Sequence, residues 1–183
     1  MPESSDAKTI GYYTVVDDER MGWTGGLLIL NAAGRPLEFQ CTLPVRPSKA
    51  HEILYGPTLR GHLIGEIIGG LLLKKRRTPL SILCCDQPES LALETELDVP
   101  VVLVDEAAEP DEGPITSETL TGSQSIDFVG ATLWVPMEKA LQVERLAETF
   151  ADLPDAVEPF SRIRDAIKEA HSQIARQKPA EAA

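Results

Sequence analysis

The alternation of apolar and polar positions changes period along the chain, and each period predicts a different element. Thr9–Val16 (TIGYYTVV) is rich in β-branched and aromatic residues and reads as a strand. Gly26–Leu30 and Leu37–Leu43 read as the next two strands, joined through Asn31–Pro36, where Gly34 is free to take positive φ. In the third strand Leu37, Phe39, Cys41 and Leu43 alternate with Glu38, Gln40 and Thr42. That pattern predicts an apolar face in the core and a polar face toward solvent or a site.

The period then becomes helical. Arg46–Arg77 reads as a short helical turn followed by a long central helix opening at Pro57, where the missing N–H costs nothing. Leu59, Leu63, Ile64, Ile67, Ile68, Leu71 and Leu72 form its apolar stripe. Gly61, Gly65 and Gly69 recur every fourth residue as a ridge without side chains. Each costs a helix about 0.5–1 kcal/mol relative to alanine, so close approach of another element is expected. Lys74–Arg77 place positive charge at the negative end of the helix dipole.

Beyond it, Leu80–Cys85 and Val99–Val104 are short apolar runs of the buried-strand kind, separated by a helix started at Asp86–Glu89. That order predicts a parallel βαβ unit. Glu106–Ser125 reads as an acidic surface loop, Ile126–Val135 as one further strand, and Pro136–Phe150 as a helix with Met137, Leu141, Leu146 and Phe150 on one side. Phe160, Ile163, Ile167, Ala170 and Ile174 mark a last amphipathic helix. The class is therefore α/β with a mixed sheet: a β-meander, a central helix, a βαβ unit, a further strand and C-terminal helices. Residues 1–153 are expected to form one domain with its core in 9–104, residues 154–176 an amphipathic helix, and 177–183 a frayed tail.

Composition narrows the setting. Three cysteines, Cys41, Cys84 and Cys85, make a poor disulfide framework, and the polar N-terminus lacks a secretory layout; both favour a cytoplasmic protein away from membranes. The net charge of −12 is uneven: residues 1–85 carry +2, residues 86–160 carry −16, and residues 161–183 carry +2. An acidic middle third repels phosphate backbones and argues against nucleic acid as the main partner.

Familiar chemistries fit poorly. His51-Glu52 opens like a metallohydrolase helix motif, but Tyr55 stands where the second histidine belongs. Gly56–Leu63 has P-loop glycine spacing with His62 and Leu63 in place of Lys and Ser/Thr. Cys84 and Cys85 end a strand before Asp86 but have no assignable histidine. Asp17, Asp18 and Glu38 are carboxylates that only the fold can pair, and Trp23 among Gly22, Gly25 and Gly26 is either a ligand platform or a half-buried hairpin aromatic.

The order of elements over residues 9–104 resembles the cytidine-deaminase-like fold, without the His-x-Glu and Pro-Cys-x-x-Cys motifs that hold zinc there. TGGLLILNAAGRPLEFQCTLPV and AHEILYGPTLRGHLIGE resemble a family of bacterial proteins to which no activity is assigned. The leading expectation is a non-catalytic module that binds a protein partner or a second copy of itself. Gly61, Gly65, Gly69, Phe160, Ile163, Ile167 and Ile174 would form its interface. The alternative is a small-ligand protein or enzyme with a site between the strand ends and the central helix, drawn from Arg60, His62, Glu66, Cys85, Asp86 and Glu38. Neither reading assigns a catalytic residue, a metal or a cofactor.

Overall fold

A computed structural model describes residues 7–105 and 120–177. Seven strands form one mixed sheet in the order β3-β2-β1-β4-β5-β7-β6. β1 (Thr9–Asp18), β2 (Gly22–Asn31) and β3 (Pro36–Cys41) are the antiparallel meander. β4 (Ile82–Cys85) lies parallel to β1, and β5 (Val101–Val104) parallel to β4. These central strands are covered on both faces, so their sequences are apolar throughout rather than alternating.

The helical stretch is built in stages. Ser48 caps α1 (Lys49–Tyr55) by accepting from the His51 N–H, and Gly56 ends it at φ 50°, ψ −127°. A 3₁₀ turn (Gly56–Thr58), α2 (Leu59–His62), a π-helical segment (Leu63–Ile68) and α3 (Gly69–Lys75) follow as the central helix. Where the π segment widens the helix, the Ile64 carbonyl accepts a 2.6 Å hydrogen bond from the buried Tyr13 hydroxyl. Leu63, Ile64, Ile68, Leu72 and Leu73 pack on the sheet, but Ile67 and Leu71 turn outward and leave the predicted stripe. A 3₁₀ segment (Pro88–Glu96) connects β4 to β5.

On the opposite face lie α4 (Ala140–Thr149) and α5 (Glu158–Gln177). Phe160, Ile163 and Ile167 of α5 are fully buried in a core with Ile10, Tyr12, Leu28 and Cys84. Their apolar seam is satisfied inside this chain, which corrects their assignment to a partner interface; Ile174 is half-buried. Gly25 and Gly26 allow both layers to come close. A Cβ at Gly25 would lie 2.2 Å from Ile68 of the central helix, and one at Gly26 2.3 Å from Ile163 of α5.

Three local expectations are corrected. Ile126–Val135 is a hairpin of β6 (Ser123–Phe128) and β7 (Ala131–Pro136), turned by Val129 and Gly130 at φ 44° and 82°. Both turn residues have positive φ, as a hairpin turn that follows strand twist requires. In the edge strand β3 and the two residues after it the faces are reversed: Leu37, Phe39, Cys41 and Leu43 are exposed, whereas Thr42 is buried, Glu38 accepts from the Thr78 N–H, and Gln40 donates to the Lys75 carbonyl. Met137 and Leu141 face solvent, and Ala140, Val143, Leu146 and Phe150 face the core. The acidic loop falls on 106–119, outside the described residues, apart from its end. Among the described residues no helix is long and apolar enough to cross a membrane.

Candidate functional site

The strand order reverses between β1 and β4. From β1 the chain moves outward through β2 and β3, and from β4 it moves the other way to β5. Because β1 and β4 are parallel, their carboxyl ends open together, and α/β sheets favour ligand crevices at such a switch point. The ladder between them ends at Tyr13 and Cys85. Beyond it Gln87 replaces a strand residue: its Oε1 accepts from Val15 N–H and its Nε2 donates to Val15 O, each at 2.9 Å.

A crevice of about 270 Å³ lies here, lined by Val15, Val16, Asp17, Arg60, Gln87, Arg164 and Lys168. The central helix supplies Arg60 from one layer, and α5 supplies Arg164 and Lys168 from the other. Asp86, 1 % exposed, anchors the floor: the Thr14 hydroxyl donates to it at 3.0 Å, and Arg164 Nη2 forms a short ion pair with the same carboxylate oxygen. Arg60 is held by Glu89 at 2.7 Å and lies over the Trp23 ring, 5.7 Å from its centroid. Partial burial raises the Asp17 carboxyl above its ordinary value; Arg60 opposes that shift, and Asp18 and Glu19 add to it.

Of the six sequence candidates, the fold brings Arg60 and Asp86 to this end of the sheet. The others serve different places. His62 stacks on Tyr55 with ring centroids 4.2 Å apart and pairs with Glu66 at 2.7 Å. Cys85 is fully buried among the residues under the central helix, and burial pushes its thiol well up, so it is no nucleophile. Glu38 lies in a wider dent of about 610 Å³ beside β3, with Lys75, Arg77 and Thr78. Despite partial desolvation it is pushed down to about 2 by the Thr78 and Arg77 donors and by Gln40. That carboxylate is already saturated with hydrogen bonds. Asp18, the other β1 carboxylate, is held below the usual range by the Met21 and Arg20 backbone N–H groups.

Arg164, Lys168 and Gln87 were not singled out in the sequence. Arg164 is separated from Asp86 by 78 positions, and no local pattern marks it. Among the described residues, no group of three or more His, Cys, Asp or Glu side chains is placed to hold a metal ion.

No protein-family model matches the sequence, and no curated protein matches it. Similar solved structures include Ciona intestinalis Endonuclease V in complex with a 24mer DNA containing an inosine followed by a ribo-adenosine. That likeness has 12% identity, covers 93% of this chain and 88% of that chain, and has a TM-score of 0.48. Human ENDOV is similar at 12% identity over 91% of this chain and 87% of that chain, with a TM-score of 0.47. The neighbours found are Endonuclease V structures rather than cytidine-deaminase-like ones, so that resemblance is given up, and the bacterial-family resemblance has no family model behind it. The expectations of a non-catalytic interaction or self-associating module and of no nucleic-acid partner run against what these neighbours are and are given up. The neighbours are nucleases, and the Ciona protein was solved with DNA. TM-scores below 0.5 assign neither a family nor an activity to this chain.

Proposed function

We propose that the crevice at the carboxyl ends of β1 and β4 binds a phosphate-bearing ligand. The observation that carries this reading is the convergence of Arg60, Arg164 and Lys168, from helices on opposite faces of the sheet, on one crevice at the strand-order reversal. Guanidinium groups match phosphate oxygens in pairs, and Arg60 and Arg164 are held in place by Glu89 and Asp86. Lys168, its side chain 74% exposed and its Nζ 3.9 Å from Asp165, adds a charge at the rim. Asp17 is the carboxylate at the mouth, its proton affinity raised by partial burial. The free thiols Cys41, Cys84 and Cys85 support a reducing setting such as the cytoplasm.

Calorimetric titration with inorganic pyrophosphate at low ionic strength tests the proposal. Saturable binding by the wild-type protein, abolished in Arg60→Gln/Lys168→Gln, is the expected result. Absence of binding, or equal binding by the double variant, would overturn it.

A further inference from the structure

Trp23, the second residue of β2, lies directly across the ladder from Asp17, the carboxylate at the crevice mouth. Its backbone is fixed on the other side by a bridge to Val45, with N···O distances of 2.9 and 2.7 Å. The indole is half-buried, and the guanidinium over it is that of Arg60, which also lines the crevice. The indole is thus joined to the crevice through the Arg60 guanidinium. Trp23 packs against the apolar cluster beneath the central helix, and the charged Arg60 lies over its ring.

We infer that Trp23 and Arg60 form a stacking shelf for a nucleobase, so that the ligand of the crevice is a nucleotide unit. This rests on the phosphate reading above. Planar bases stack on indole rings and on guanidinium planes alike, and a basic groove edged by an aromatic is the usual arrangement for holding a nucleotide by phosphate and base together. The unit is a free nucleotide or one residue of a strand. Its shared chemistry is a planar base joined through a sugar to a phosphate.

Fluorescence titration separates the possibilities. The chain has two tryptophans, and Trp134→Phe leaves Trp23 as the only indole. Adenosine monophosphate is expected to quench Trp23 emission and to bind about tenfold more tightly than ribose 5-phosphate, within the worth of one stacked base. In Trp23→Leu, with folding checked by its melting curve, adenosine monophosphate should fall to the affinity of ribose 5-phosphate. A short adenylate oligonucleotide binding above the mononucleotide identifies a strand as the source, and the reverse order identifies a free nucleotide; both support the shelf. Equal affinity of adenosine monophosphate and ribose 5-phosphate for the tryptophan-bearing protein overturns the shelf and leaves phosphate binding intact. Failure of both to bind overturns the phosphate reading, and the shelf with it.

Discussion

Gly61, Gly65 and Gly69 are equivalent in sequence spacing, but the structure gives alanine at these positions opposite consequences. At Gly61 an added Cβ meets nothing within 4 Å, so Gly61→Ala is predicted to stabilise the protein by about 0.5–1 kcal/mol through helix propensity alone. At Gly65 the Cβ would lie 2.7 Å from the Glu89 carbonyl oxygen and 3.1 Å from the Ala92 Cβ. The first contact is with backbone, which cannot swing aside as a side-chain tip can, so the 3₁₀ segment after β4 must shift. Such overpacking costs about 1–3 kcal/mol, so at the middle of that range it outweighs the propensity gain and leaves Gly65→Ala about 1–2 kcal/mol less stable. For a chain of this size the two variants should bracket the wild type, with Gly65→Ala melting about 2–8 °C lower and Gly61→Ala about 1–4 °C higher. Gly69→Ala should lie below wild type as well, because its Cβ would approach Leu93 at 2.6 Å and the Ile64 carbonyl at 2.9 Å. Calorimetric melting of the single variants reads the order. A Gly65→Ala protein as stable as Gly61→Ala would refute the close approach of the central helix and the 3₁₀ segment.

The Arg164–Asp86 pair carries more stability than a surface pair. Arg164→Met, which leaves a carboxylate that is 1% exposed without its cation, should lower stability by about 2–4 kcal/mol in urea unfolding. Arg162→Met, which removes an i,i+4 contact to Glu158, should cost about 0.3–0.5 kcal/mol; equal losses would contradict the burial argument. Glu38, held down to about 2 from 4.5, stabilises the fold at neutral pH by about 1 kcal/mol after discounting for solvent screening. Its contribution is complete above pH 4.5 and is lost as pH falls through about 2. The stability gap between wild type and Glu38→Gln should therefore close over that interval, and a pH-independent gap would refute the assignment. A disulfide reagent should titrate one thiol, Cys41, in the native protein and all three after denaturation, since Cys84 and Cys85 are fully buried with thiols pushed up by desolvation. Rapid reaction of two or more native thiols would contradict that packing.

How much of this was legible follows from where each residue's constraint arises. The runs IGYYTVV, LSILCC and VPVVLV declare buried strands because both of their faces are covered, and the parallel pairing of β4 with β5 follows from their spacing around a short helix. The β6–β7 hairpin escaped because its turn begins at Val129, a β-branched residue that seldom takes positive φ. The faces of β3 were inverted because periodicity reports alternation without saying which side is covered. At this sheet edge backbone donors at Arg77 and Thr78 hold Glu38 inward. Met137 and Leu141 differ for a related reason: a helical period counted from Pro136 puts them inward, whereas the buried face of α4 is set by Ala140, Val143 and Leu146. The crevice itself was half legible. Arg60 and Asp86 stood out, one beside a helix start and the other at a strand end, but Arg164 and Lys168 reach them only because α5 crosses β1 and β2.

The decisive measurement is an amide and arginine-side-chain NMR titration of the wild-type protein with inorganic pyrophosphate. Saturable shifts confined to Asp17, Arg60, Gln87, Arg164 and Lys168 are expected, with the dent beside Glu38 unmoved. Shifts centred instead on the basic run Lys74–Arg77, or spread over the surface without saturation, would contradict the phosphate reading.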